Sequence, residues 1–149
     1  MKSLCIIACG KKKLWDKNPE ACPTKAENLY TGSFTQKCIE YAKNADFDSW
    51  CILSAKYGFL FPEEVVPGQY SECFHNKTSN PVTLKDLFLQ IKSKELDKYE
   101  KITILGGNYY TDMMKKLFSE KKICNPLKGC KGIGYMMKKL NKLIDAASP

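Results

Sequence analysis

Arginine is absent. All 24 basic residues are lysine, against 16 acidic ones, and the formal charge of the 149-residue chain is +8. The planar guanidinium fork that reads guanine edges or clamps phosphate bidentately is therefore missing, which argues against base readout in duplex DNA. No run of eighteen apolar residues occurs, so no helical membrane span is expected. About six apolar residues follow Met1-Lys2-Ser3 before Lys11, too few for a secretory signal, and a cytoplasmic protein is expected. The eight cysteines contain no C-x-x-C pair and His75 is the sole histidine, a pattern that argues against structural zinc. Cys5 and Cys51 lie inside apolar runs and read as buried, reduced thiols.

What is present suits one compact domain over residues 1–149: 44% of the residues are apolar, enough for a core without disulfides or metal. The basic excess is uneven. Residues 83 to 149 hold fourteen lysines and seven acids, whereas residues 1 to 48 hold eight and six. A surplus of that kind suits an anionic partner, or simply a solvated helical surface.

Strand and helix patterns alternate. Residues 3 to 9 form a continuous apolar run of the kind found in central parallel strands buried on both faces. A polar stretch leads to a helix over 34 to 44, and a second buried strand covers 49 to 54. Residues 55 to 82 read as irregular, broken by Pro62, Pro67, Gly68 and Pro81. Thr83, with Asp86 three positions on, opens a helix carrying Leu84, Leu87, Phe88 and Ile91 at helical spacing. A third strand spans 101 to 105, a helix begins near Asn108, and a short fourth strand is expected at 122 to 124. The last helix, about 133 to 145, turns Ile133, Met136, Met137, Leu140 and Ile144 inward and Lys138, Lys139 and Lys142 outward. This order predicts a three-layer α/β domain with an open, mostly parallel sheet of about four strands.

In such folds ligands bind beyond the carboxyl ends of the strands. The segments leaving those ends are Cys9-Gly10-Lys11-Lys12-Lys13, Ser54-Ala55-Lys56-Tyr57-Gly58 and Gly106-Gly107-Asn108-Tyr109-Tyr110. Gly10 permits close backbone approach, and the lysines behind it offer ammonium groups to an anion, although a solvated loop would read the same way. Ser54, Lys56 and Tyr57 put a hydroxyl, an ammonium and a phenol around a turn that needs only Gly58, with core packing the plainer role for Tyr57. Gly106 and Gly107 precede a helix whose first N–H groups suit an anion. Neither a Walker loop nor a G-x-G-x-x-G fingerprint is present. Cys9 and His75 are a thiol and an imidazole that would have to meet in space to act together.

Taken in order, Cys9-Gly10-Lys11-Lys12-Lys13, the stretch from Ala26 to Phe34 containing Tyr30, and the stretch from Trp50 to Leu60 resemble an uncharacterised bacterial and phage domain family. The likeness continues through Pro62, Tyr70, Gly106, Tyr110 and Pro126-Leu127-Lys128-Gly129. More remotely, C-x-x-x-K after the first strand and the Ser54 turn after the second are similar to the catalytic domain of archaeosine synthase, which has a uracil-DNA glycosylase-like fold. That similarity aligns Cys9 and Lys13 with a Cys and a Lys of the motif, and departs from it at Gly10, where Ser is usual.

The expectation is an enzyme acting on a nucleobase, nucleoside or nucleotide, cleaving a glycosidic bond or transferring a group to the base, without a metal or cofactor. Lys13 would stabilise negative charge, Tyr30 or Tyr57 would stack on the base, and Ser54 and Lys56 would anchor it. Tyr70 and Tyr110 complete the binding set, and Asp16, Glu63 or Glu64 would supply the carboxylate. The rival expectation is a non-catalytic nucleic-acid-binding module that uses the C-terminal lysines.

Overall fold

The computed structural model describes residues 2–147. Its centre is strand β1 (Ser3–Ala8), in which Leu4 to Ala8 are all buried. A strand can be apolar at every position only when both faces are covered, and β1 meets that condition. It is flanked in parallel by β3 (Ser49–Ser54) on one side and β6 (Lys101–Leu105) on the other, with Ile6 opposite Cys51 and Ile104.

Successive β1 side chains enter opposite layers, as a period of two requires. Leu4 and Ile6 pack with Leu87 and Ile91 of α4 (Leu84–Ser93) and with Met113, Met114 and Leu117 of α5 (Asn108–Leu117). Cys5 and Ile7 pack with Cys38, Ile39 and Ala42 of α3 (Ser33–Asn44) and Leu140 of α6 (Ile133–Ala147). Helices therefore cover both faces of the sheet, and the three-layer α/β architecture follows. Each fully buried Leu or Ile in these layers contributes about 1.5–3 kcal/mol over its exposed state.

The sheet has five strands rather than about four, in the order β4-β3-β1-β6-β7. The expected short strand is present as β7 (Lys122–Cys124), parallel to β6. The additional strand is β4 (Gly58–Leu60), antiparallel to β3 at the sheet edge and inside the segment expected to be irregular. Three residues are too few to show periodicity. The hairpin rests on Gly58, whose φ of +75° favours glycine, and a Cβ there would run into the Gln90 carboxamide. That carboxamide accepts from Phe59 N–H at 2.8 Å and donates to the Tyr57 carbonyl at 2.9 Å, tying β4 to α4.

The polar stretch before α3 is also ordered. It holds α1 (Leu14–Lys17), β2 (Thr24–Lys25) and α2 (Ala26–Leu29), and β2 pairs antiparallel with β5 (Val65–Val66). Thr83 caps α4 as expected: its hydroxyl accepts from Asp86 N–H at 3.2 Å, and its own N–H donates to the Asp86 carboxylate at 2.9 Å. The donation from Thr83 N–H holds the Asp86 carboxyl below the ordinary range. Three apolar positions differ from expectation. Leu84, Phe88 and Ile133 are exposed, Ile133 to 60%, each in the first or second turn of its helix.

No described helix is long and apolar enough to cross a membrane.

Candidate functional site at the strand ends

The ends of β1 and β3, together with the first turn of α5 after β6, border one cavity of about 670 Å³. Cys9, Gly10 and Lys11 enter it from β1, Ala55 from β3, and Tyr110 from α5. Phe34 and Ile133 reach it from the first turns of α3 and α6, and the segment from Gln69 to Asn76 lies over it. Three helices thus turn their first residues toward one space, where unpaired backbone N–H groups carry partial positive charge.

Lys13 is on this wall and is only 6% exposed. Its Nζ donates to the Lys11 carbonyl at 3.1 Å and stands 4.2 Å from the centre of the Tyr70 ring. Among the described residues it has no carboxylate within ion-pair distance. Its backbone N–H donates to Asp16 Oδ2 at 2.8 Å, and Asp16 Oδ1 accepts from Gln69 at 2.5 Å. Asp16, a predicted carboxylate, therefore lines the cavity and also joins α1 to the covering segment.

Beneath Lys13 the hydroxyls of Tyr30, Tyr70 and Ser54 form a chain. Tyr30 and Tyr70 share a hydrogen bond, and Ser54 Oγ donates to the Tyr70 oxygen at 3.0 Å while accepting from the N–H groups of Lys56 and Tyr57. Burial raises the hydroxyl pKa of Tyr30, Tyr70 and Tyr110 above the tyrosine range, so all three are neutral donors at pH 7. Burial also raises the Cys9 thiol, although Ala55 N–H, Lys13 and the Tyr70 hydroxyl pull the other way. Cys9 at pH 7 is thus a neutral thiol rather than a thiolate nucleophile.

Several predicted residues have other positions. Tyr30 is completely buried and cannot stack on a ligand; its ring belongs to the core and its hydroxyl holds Tyr70. Tyr57 packs edge-on against Tyr70 at 5.6 Å, outside the cavity lining. Glu64 is also outside it, with both carboxylate oxygens 2.9 Å from Lys94 Nζ and Oε2 accepting from Phe61 N–H at 2.6 Å. Glu63 is exposed and does not line the cavity. Gly10 lines the cavity, but its missing side chain serves Thr35, whose Oγ1 would lie 2.6 Å from an added Cβ. Gly106 is needed because a Cβ would approach that of Ala8 at 3.0 Å; Gly107 precedes α5 in open space. Lys56 is exposed and reaches Glu72 at 3.9 Å. His75 shares the cavity with Cys9, but its ring contacts are with Tyr109 and Tyr110, at 4.9 and 5.9 Å.

Glu72, Cys73, Phe74 and Gln69 complete the wall without having been predicted. Tyr70 was the signal that pointed nearest to them. Among the described residues no three His, Cys, Asp or Glu side chains gather closely enough to hold a metal ion.

Fold and cavity together define a three-layer α/β protein with a strand-end crevice built around a buried lysine. Residues 4–142 match DUF6884, a family of unknown function, and the chain belongs to that family. It is similar to the uncharacterized protein YfjM of Bacillus subtilis (strain 168), with 42% identity over 146 residues covering 97% of each chain. No solved structure matches.

Proposed function

We propose that this protein is an enzyme acting on a nucleobase-containing anion, cleaving the bond between base and sugar or transferring a group to the base. The observation that carries this reading is the Lys13 ammonium, buried on a cavity wall without a carboxylate partner among the described residues. A buried charge without a counter-charge costs several kcal/mol unless something compensates it. The Tyr70 ring face and one carbonyl compensate in part, and an anion from the ligand would supply the rest. Helix first turns at Phe34, Tyr110 and Ile133 add electropositive backbone to the same space.

Phe34, Phe74, Tyr110 and His75 give the cavity aromatic walls for a base, and about 670 Å³ accommodates a nucleotide. Neutral Tyr70 would act as a donor, and Lys13 would bear charge on a phosphate or a departing base. The remote likeness to archaeosine synthase supports the same site, because the Cys9 and Lys13 that it aligns both line this cavity.

A thermal-shift panel of bases, nucleosides and nucleotides tests the reading. A true ligand at 100 times its Kd stabilises by about 2.7 kcal/mol, a rise of several degrees. Lys13→Met should abolish that shift, whereas joint replacement of Lys138, Lys139 and Lys142 by Ala should preserve it. If no member shifts the wild-type protein, the reading fails. If the shift depends on the three α6 lysines instead, the basic-module function takes its place.

A further inference from the structure

A second cavity, of about 580 Å³, opens between the start of α4 and the first turns of α5. Lys13, Cys9 and Tyr70 do not line it. Its lining includes the buried, apolar Leu87 and Met113 and the ring of Tyr109, which is 44% exposed. Lys77 and Lys116 also line it, both exposed and neither in an ion pair among the described residues, with Asp112 as an acid beside them. An apolar recess of this size with a few polar groups at its rim has the make-up of a ligand site.

The two cavities are neighbours. Phe74, only 5% exposed, lines both. Tyr109 lines the second cavity and Tyr110 the first, and their rings meet edge-on at 5.2 Å. The His75 ring of the first cavity lies 4.9 Å from Tyr109, and the Phe74 ring lies 6.1 Å from Tyr110. Four rings therefore form a continuous partition between the two recesses, and its Tyr109 and His75 members are exposed. Bases stack on such rings whatever their identity, and lysines beside them suit the phosphates of the same strand.

We infer that the cavity between α4 and α5 is a second base subsite, so that the protein takes two consecutive nucleotides of a single strand, one base on each side of the aromatic partition. This rests on the nucleobase-anion reading above and adds the form of the substrate to it. A single strand can splay neighbouring bases into separate recesses, whereas the bases of a duplex are stacked and paired.

The test is calorimetric titration at fixed salt with 3′–5′-linked dinucleotides carrying a 5′-phosphate. Nucleoside 3′,5′-bisphosphates serve as the reference, since they have the same two phosphates and no second base. The second base should tighten binding about ten- to a hundredfold. Tyr109→Phe keeps that gain, because stacking needs the ring alone, and Tyr109→Ala loses most of it. Leu84→Glu also loses it, by placing a carboxylate in the second cavity at an exposed first-turn position that suits the helix dipole. Equal wild-type affinity for dinucleotide and bisphosphate overturns the inference and leaves the nucleobase reading standing. A gain that survives both Tyr109→Ala and Leu84→Glu puts the second base elsewhere and overturns it. Binding of 5′–5′-linked dinucleotides as tight as that of the 3′–5′ form overturns the strand. If the wild-type protein binds no nucleotide of any form, the parent reading falls and this one with it. Should Tyr109→Ala fail to fold, Leu84→Glu and the wild-type ratios decide.

Discussion

Residues 58–66 and 69–76 are two halves of one proline-broken segment, and each carries a glutamate near a lysine. In the first half every partner is present: Glu64 holds Lys94 with both oxygens at 2.9 Å, and Lys94 also donates to the Phe59 carbonyl. Gln90 spends both ends of its carboxamide on the same hairpin. In the second half Glu72 Oε2 has no donor, and Lys13 beneath has no carboxylate among the described residues. Identical residue types thus close the fold in one place and stay open in the other. Satisfied polar groups mark structure, and a buried ammonium on a cavity wall without a carboxylate partner marks a place for something else.

Substitutions should separate the two halves, and the largest effect belongs to the first. Gly58→Ala forces a left-handed residue into the Gln90 carboxamide and should cost about 2–4 kcal/mol in denaturant unfolding while sparing ligand affinity in the folded protein. Lys94→Met should come next. Its pair is partly exposed, at 22% and 38%, so the loss is about 1–2 kcal/mol. Lys13→Met should change stability by less than about 1 kcal/mol, toward stabilisation, because it removes a buried charge that lacks a partner. Equal losses from Lys94→Met and Lys13→Met would break the comparison.

The smallest effect near neutrality is the pH dependence. Burial raises Tyr30, Tyr70 and Tyr110, and pushes the Cys38 thiol up to about 12 from an ordinary 9.0. A group raised on folding contributes stability that is intact below its unfolded pKa and lost as pH climbs through and above it. The thermal midpoint should therefore be insensitive to these groups from pH 7 to about 8, then fall from about pH 9 upward as the unfolded thiols and phenols ionise. A midpoint that rose above pH 9 would contradict the buried hydroxyl chain that anchors residues 69–76.

Legibility followed the range of the cause. Strands at 3–9, 49–54 and 101–105 were visible because a strand covered on both faces must be apolar at consecutive positions. The Thr83–Asp86 cap was visible because its partners lie three residues apart. β4 was not, since three residues have no measurable period and its support comes from Gln90 on a distant helix. Tyr30 has the type of a stacking ring, but its ring lies in the core and its hydroxyl is spent on Tyr70. Glu63 and Glu64 were read as candidates while Glu72 was passed over, although nothing local distinguishes the three.

Local pattern, then, establishes the α/β alternation, the burial of β1 and the three segments that leave the strand ends, because those properties depend on neighbours within a few positions along the chain. Only the folded arrangement decides which carboxylate is spent on Lys94, which oxygen of Glu72 is left without a donor, and that Lys13 is buried without a carboxylate partner among the described residues. Satisfaction of a polar group is a property of distance in space, and the residues that confer it here lie up to 53 positions away along the chain.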